Sequence, residues 1–154
     1  MIELKLIRAD ETAELTVTLP VSDDEAARLS CDFVVANVET GLYVQNDIKK
    51  SITLLNRYAR LVADELDENE IKTFAALYEC LDDYLTAEKV YKSSAYHCIH
   101  DVYDEYDLGR AAVDEGLFYV CKECEHYIDY ERLGHDLSFD YYISSHGVAV
   151  CIDY

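Results

Sequence analysis

The chain has 154 residues, with 32 Asp and Glu against 13 Lys and Arg, and its formal net charge is −19. This length suits one domain or two to three small subdomains, and an apolar content of 51% is enough to form a core. No stretch approaches the ~20 apolar residues that span a bilayer, and the beginning of the sequence lacks the apolar core of a signal peptide. We therefore expect a cytoplasmic protein without a membrane partner, whose six cysteines are free thiols.

The acids are concentrated in the later part of the chain. Residues 1–60 contain ten acids and seven bases, whereas residues 61–154 contain 22 acids and six bases. A disordered acidic tail is poor in aromatic residues. Tyr, Leu and Val run through this stretch, so the sequence predicts that the acids belong to an ordered surface.

Residues 1–44 predict a small α+β subdomain. Residues 2–7 (IELKLI) and 14–19 (ELTVTL) alternate apolar and polar side chains, as strands do. Ser22 is a suitable N-cap for a helix over DDEAARL, and residues 31–39 (CDFVVANVE) predict a third strand.

Residues 45–93 predict a helical subdomain. Asn46 can cap a first helix, because apolar residues then recur at three- and four-residue spacing as far as Val62. Asp67 with Glu70 three residues later forms a capping box in front of a second helix. Thr86 can cap a short third helix.

Residues 94–154 predict an α+β subdomain with a C-terminal β-hairpin. A strand over residues 95–100 precedes a helix from Asp101 to Glu115, and the stretch HYIDYERLGHDL (126–137) is expected to be helical up to Gly134. LSFDYYIS and GVAVCIDY alternate around a turn at residues 145–147, which indicates the hairpin. The predicted fold class is α+β, an elongated chain of three small subdomains.

Cys121 and Cys124 form the one sequence motif typical of metal or thiol chemistry. A CxxC pair can supply half of a zinc site or a redox pair, and His126, Cys98, His97 or His100 could complete a zinc site. No second CxxC is present, so we interpret the two cysteines as incidental thiols in a turn and expect no metal.

Motifs of other enzyme classes are missing. The sequence has no HExxH pattern, no nucleophile elbow and, with five glycines, no glycine-rich phosphate loop. We therefore expect no enzyme activity and no cofactor.

The pattern of acids points to a different function. Like charges three or four residues apart on a helix lie ~5–6 Å from each other and repel, so an ordinary solvated face interleaves Lys. Duplex DNA carries one negative charge per ~1.7 Å of its axis, so a net charge of −19 corresponds to roughly 32 Å of duplex. A rigid protein with such a surface could occupy the Lys and Arg groove of a DNA-binding enzyme.

Two stretches near the end of the chain resemble a known family. HYIDYERLGHDL and the later SSHGVAVCIDY resemble the C-terminal region of the ArdA antirestriction proteins, which typically read NYIDYxxxGRDL, then a short strand, a His-Gly turn and a final strand. Residues 127–130 (YIDY), Gly134, residues 136–137 (DL) and residues 146–147 (HG) match this pattern. ELTVTLPVSDDEAARL and SITLLNRYARLVADEL match the upstream parts of the family more loosely.

The resemblance implies a DNA mimic encoded by mobile elements. Such proteins are elongated dimers with three small domains per chain, and they bind type I restriction–modification enzymes in place of DNA, blocking restriction and often modification. His135 departs from the family pattern, which has Arg there, the segment between Leu117 and His126 is shorter, and CxxC is not a family feature. Because of these departures, the resemblance does not determine which target the protein prefers.

We predict a non-enzymatic inhibitor that occupies the DNA-binding groove of a type I methyltransferase core and does not itself bind nucleic acid. The predicted phosphate surrogates are Asp101, Asp104, Glu105, Asp107, Asp114, Glu115, Asp129, Glu131, Asp136 and Asp140. The residues of the family motif that are expected to pack the core or a homodimer interface are Tyr127, Ile128, Tyr130, Leu133, Gly134 and Leu137. Two alternatives stay open: a DNA mimic of another DNA-binding or defence protein, and a small zinc- or thiol-dependent regulator.

Overall fold

The protein is described by a computed structural model over residues 1–153, and its fold is mixed α+β. It forms two compact units, the first over Met1–Ile71 and the second beginning at Lys72. Elements of the first unit are β1 (Ile2–Arg8), β2 (Glu14–Leu19), α1 (Asp23–Asp32), β3 (Phe33–Thr40) and α2 (Ile52–Glu65). Helix α3 (Glu68–Leu81) begins in the first unit, and the second continues with α4 (Tyr84–Ser93), β4 (Tyr96–His100), α5 (Glu105–Asp114), α6 (Tyr130–Leu137), β5 (Tyr142–Ile143) and β6 (Val148–Ile152).

The first unit is built on a three-stranded antiparallel sheet. Strand β1 lies between β2 and β3, and its alternating residues Ile2, Leu4 and Leu6 are buried. This confirms the two strands predicted from period-two alternation. Strand β3 starts at Phe33, two residues later than predicted, because the chain remains helical through Asp32.

Ser residues are the N-caps of α1 and α2. The Ser22 hydroxyl accepts a hydrogen bond from the Glu25 N–H at 3.2 Å, as predicted for the start of α1. The prediction that Asn46 caps α2 is wrong: the helix begins at Ile52, and the Ser51 hydroxyl accepts from the Leu54 N–H at 3.2 Å. Residues 46–50 form turns instead.

A buried amide joins α2 to the segment before α1. Asn56 is 1% exposed, and its side chain accepts from the Val21 N–H at 2.7 Å and donates to the Val21 carbonyl oxygen at 3.0 Å. The Arg60 guanidinium also donates to this carbonyl, at 2.7 Å. Because each buried polar atom here has a partner, the contact fixes the position of α2 without an unpaired donor or acceptor.

Carboxylates begin both α3 and α4. The predicted capping box is confirmed, since the Asp67 N–H donates to Glu70 at 2.8 Å and the Glu70 N–H donates to Asp67 at 2.9 Å. The prediction that Thr86 caps the next helix is wrong: Asp83 is the N-cap of α4, and it accepts hydrogen bonds from the Thr86 N–H and hydroxyl.

The second unit contains another three-stranded antiparallel sheet, in the order β4-β6-β5. Alternate residues of β6 pack into two different clusters. Val148 and Val150 pack with Ala76 and Leu77 of α3, and Ala149 packs with Ile99, Val102 and Leu108. The predicted hairpin is confirmed around Gly147, whose φ of +71° a glycine adopts without strain. Its first strand is short, however, and covers only Tyr142 and Ile143 of the predicted LSFDYYIS stretch.

The two helices of the family motif region differ from the prediction at their ends. Helix α5 begins at Glu105 and not at Asp101, because Asp101 has a φ of +59° and lies in a bend after β4. The motif stretch contains a single 3-10 turn over Glu125–Tyr127 and then α6, which continues through Gly134 as far as Leu137.

No helix within residues 1–153 combines the length and the apolar character needed to cross a bilayer. The division of the chain into three subdomains at residues 44 and 93 stays a prediction, since the two compact units meet within α3.

Candidate functional site

Helices α5 and α6 approach each other so closely that their backbones touch at two glycines. A Cβ atom on Gly109 would run into the Tyr130 carbonyl oxygen, and one on Gly134 would run into the Glu105 carbonyl oxygen. Only glycine fits at either position. This crossing therefore sets where the acidic side chains on and around the two helices lie.

One face of α5 and the bend before it bring four predicted acids around a single concavity. Asp107, Arg110 and Asp114 share a helix face, because they are separated by three, four and seven residues. With His100, Asp101, Ala111 and Glu115 they line a cleft of about 260 Å³. Four negative side chains therefore line one cleft: Asp101, Asp107, Asp114 and Glu115.

Arg110 is the cation of this cleft. Its Nε lies 3.7 Å from Asp114 Oδ2, and its guanidinium carbon lies 5.9 Å from the centre of the Tyr130 ring. The Tyr106 hydroxyl beside it and the charge of Asp114 raise the pKa of Arg110 further above its usual value. The guanidinium is thus charged throughout the working range of pH, and a single base faces four acids.

Two of the predicted surrogates also begin helices. The Asp104 carboxylate accepts from the Asp107 N–H at 2.8 Å, and the Asp129 carboxylate accepts from the Arg132 N–H at 3.1 Å. Each bond uses one carboxylate oxygen and satisfies a backbone donor at a helix N-terminus. Both residues are exposed.

Glu105 lies on the side of α5 that faces α6. Its Oε1 is 3.0 Å from His135 Nδ1 and accepts a hydrogen bond from the Ser138 hydroxyl at 3.4 Å. Sequence reasoning singled out His135 because the family pattern has Arg there. The structure shows that the imidazole contacts a predicted surrogate acid, so a change at position 135 alters the surroundings of the Glu105 carboxylate.

The ten predicted surrogates remain largely open to solvent. Glu105 and Asp107 are half-buried and the other eight are exposed, including Glu131, Asp136 and Asp140 on and after α6. Within the described residues, Asp114 alone among the ten forms an ion pair with a Lys or Arg. Nine of these ten described acids therefore carry a charge that no ion pair with a Lys or Arg compensates.

The apolar residues of the family motif occupy different environments. Gly134 is buried at the crossing, and Leu137 packs against the cluster around Leu108. The Tyr130 ring packs edge-on against Tyr106 at 5.8 Å, whereas Ile128 and Leu133 are half-buried. The Tyr127 side chain is 89% exposed, so none of residues 1–153 buries it, and its role at an interface stays a prediction.

Sequence reasoning missed Glu79 on α3, which holds the turn of the hairpin. Its carboxylate accepts hydrogen bonds from the Ser145 N–H at 3.2 Å, the Ser145 hydroxyl at 2.8 Å and the Tyr142 hydroxyl at 3.1 Å. His146 Nε2 lies 3.2 Å from the same carboxylate. The Ser-Ser-His-Gly turn was visible in the sequence, but a partner 66 residues away leaves no local signal.

The chain matches no protein-family model, and no curated protein sequence matches it. The resemblance to the ArdA proteins therefore remains an expectation that rests on the quoted motifs.

The CxxC motif lies in the segment that joins α5 to α6. Cys121 and Cys124 are free thiols, and Cys124 is exposed. Across the described part of the chain, no three His, Cys, Asp or Glu side chains converge in a way that could hold a metal ion.

Proposed function

We propose that this protein is an antirestriction factor, an acidic mimic of double-stranded DNA that binds a type I restriction–modification enzyme in the cytoplasm and protects incoming mobile DNA. The observation that carries the proposal is the set of ten surrogate carboxylates, of which eight are exposed and only one has a Lys or Arg partner. The resemblance of HYIDYERLGHDL to the ArdA motif supplies the identity of the target.

The physical basis is electrostatic. Carboxylates repel one another in the free protein, and attraction to Lys and Arg offsets this repulsion when the carboxylates face a cationic groove. Cations that accumulate around the acidic surface are released when Lys and Arg of the groove replace them, which is the kind of favourable term that drives DNA binding. The helix crossing at Gly109 and Gly134 holds the acids of α5 and α6 in fixed positions, and this order lowers the entropy lost on binding.

The finer features of the proposal follow the family. The chain would consist of three small subdomains, with boundaries near residues 44 and 93, and would act as a homodimer without catalysing a reaction. Tyr127 with its exposed ring, and the half-buried Ile128 and Leu133, are the motif residues best placed to contribute to a contact between copies.

The decisive experiment is a phage-plating assay in a host with an active type I system. Expression of the protein should raise the plating efficiency of unmodified phage and leave that of modified phage unchanged. Plating that is equally low with and without the protein would contradict the proposal.

A binding measurement tests the mechanism separately. The protein should displace duplex DNA from the purified methyltransferase core. Its affinity for the core should fall by at least tenfold between 50 and 200 mM salt, as the affinity for DNA does when a protein contacts several phosphates. An affinity that does not change with salt would contradict DNA mimicry.

A mimic directed at another DNA-binding protein is the second candidate, and it is favoured by His135. This imidazole contacts Glu105 where the family pattern has Arg. Capture of a different DNA-binding protein from lysate, combined with an inactive plating assay, would support this candidate over the first.

A further inference from the structure

The two cysteines of the CxxC motif are in direct contact. Cys121 Sγ and Cys124 Sγ are 2.7 Å apart, about 0.7 Å longer than the ~2.05 Å of a disulfide bond. The Cys124 N–H donates to the Cys121 carbonyl oxygen at 2.9 Å, which closes the turn between the two residues. The backbone thus holds both thiols on the same side of a solvent-facing turn.

The other four cysteines lie in different environments. Cys80, Cys98 and Cys151 are half-buried, so a disulfide in solution reaches their sulfur atoms less readily, and burial raises the pKa of each thiol. Cys31 is exposed at the end of α1. Cys124 therefore combines two features: its thiol is exposed, and the thiol of Cys121 is in contact with it.

We propose that Cys121 and Cys124 form a reversible dithiol site whose substrates are low-molecular-weight disulfides such as oxidised glutathione. The Cys124 thiolate attacks one sulfur of the disulfide, forms a mixed disulfide and releases one molecule of the reduced thiol. The Cys121 thiolate then attacks Cys124 Sγ, forms the Cys121–Cys124 bond and releases the second thiol. Overall, two protein thiols are oxidised to a disulfide and one glutathione disulfide is reduced to two glutathiones.

The geometry favours the second step over accumulation of the mixed disulfide. Reacting groups that are held in contact behave as if one were present at very high concentration, so the intramolecular attack outpaces attack by another thiol. Contact with the Cys121 thiol raises the pKa of Cys124. The first step should consequently accelerate as the pH rises toward alkaline values, because the thiolate is the nucleophile.

The sequence offers a direct assay, because Lys122 lies between the two cysteines. Trypsin cleaves after Arg110, Lys122 and Arg132, and it separates Cys121 and Cys124 into two peptides, residues 111–122 and 123–132. The folded full-length protein is treated with oxidised glutathione, its remaining thiols are alkylated, and it is denatured, digested and analysed by mass spectrometry.

The two peptides should remain joined and be two hydrogens lighter than their sum, and this species should form at least tenfold faster than oxidation of Cys80 or Cys98. In a Cys121→Ser variant, Cys124 should instead retain one glutathione, whereas a Cys31→Ser control should behave like the wild type.

Wild-type protein that accumulates glutathionylated Cys124, or that pairs either cysteine with a different one, would overturn the proposal. Reduction of the joined species by excess glutathione should restore both thiols, and a bond that resists reduction would also overturn it.

Discussion

Several individual carboxylates of this protein perform a structural task while contributing to its negative charge. Asp83, Asp104 and Asp129 are the N-caps of α4, α5 and α6, and each accepts a hydrogen bond from a backbone N–H three residues later. An acid at this position also interacts favourably with the positive end of the helix dipole. Part of the acidity is thus compatible with folding, since these charges lie where a helix stabilises them.

The charge of Asp83 should make stability depend on pH in a defined direction. Hydrogen bonds from the Thr86 hydroxyl and N–H lower the pKa of this carboxyl below its ordinary value of 3.8. A group with a lowered folded-state pKa stabilises the fold above its unfolded-state pKa, and this contribution is lost as the pH falls through the folded-state value. Asp83→Asn, which keeps a neutral cap, should therefore lower the free energy of unfolding by about 0.3–1 kcal/mol at pH 7.

The difference between the wild type and Asp83→Asn should shrink below about pH 4 and vanish in stronger acid, as measured by urea unfolding at a series of pH values. Asp140→Asn, an exposed change outside the helices, is the matched control and should show no such difference. A stability difference that persists unchanged into strong acid would show that the charge of Asp83 is not its cause.

At the scale of elements, the crossing of α5 and α6 determines the shape of the candidate site. Gly109 and Gly134 face backbone atoms of the opposite helix, which cannot rotate away as a flexible side chain could. The glycine of the family motif is therefore explained by close packing and not by a turn. Its position also fixes Glu105 and His135, which contact each other across the same pair of helices.

The Gly134→Ala change has two opposite effects on the free energy of unfolding, one from helix propensity and one from packing. Alanine in an unobstructed helix would be more stable than glycine by about 1 kcal/mol. At this crossing its Cβ would collide with the Glu105 carbonyl oxygen, and overpacking of this kind typically costs about 1–3 kcal/mol and occasionally more. We expect a net loss of at least about 1 kcal/mol in the free energy of unfolding, since backbone atoms must move.

Chemical denaturation of Gly134→Ala beside Asp136→Ala, an exposed change in the same helix, provides the comparison. The control should remain within about 0.5 kcal/mol of the wild type, as surface substitutions usually do. If Gly134→Ala were as stable as the wild type, the two backbones could not be in contact.

Elements with a local signal could be predicted from the sequence, and those that depend on distant partners could not. Period-two alternation identified β1 and β2, and the spacing of Asp67 and Glu70 identified the start of α3. Asn46 and Ser51 are both good caps, and only the folded chain shows that Ser51 is used. The Gly109–Gly134 contact and the hold of Glu79 on the hairpin turn join residues that are far apart in sequence, so neither has a local signature.

At the scale of the molecule, the charge is spread over both units. Residues 1–71 contain 15 acids and seven bases, and residues 72–154 contain 17 acids and six bases. A distributed field of this kind tolerates loss of one carboxylate, because each contributes a small part of the interaction with a cationic groove. Under the proposed function the position of the charges still matters, since only acids that face the groove gain the attraction of its Lys and Arg residues.

Neutralising four acids of the cleft tests whether binding depends on these particular acids or on the net charge of the protein. Asp101→Asn, Asp107→Asn, Asp114→Asn and Glu115→Gln should each weaken binding to the methyltransferase core by only a few-fold, whereas the quadruple variant should weaken it by at least tenfold. A variant with the same total charge, made at Asp24, Asp32, Asp64 and Glu65 in the first unit, is the matched control, because all four side chains are exposed.

Titration calorimetry at fixed salt measures both quadruple variants, and circular dichroism verifies that each is folded. Equal loss in the two variants would indicate that net charge alone determines binding. Abolition of binding by any one of the four single changes would point to a discrete site and contradict a distributed surface.

The central strand of the second sheet is also the last element of its unit along the chain. Strand β4 and strand β5 both pair with β6, and β6 covers Val148–Ile152. During synthesis, β4 must therefore wait for about 50 further residues before it has a partner, while the Cys98 thiol and the apolar face of the strand remain uncovered. Under the proposed function, the negative charge that attracts a cationic groove would also hinder association between incompletely folded chains during this interval.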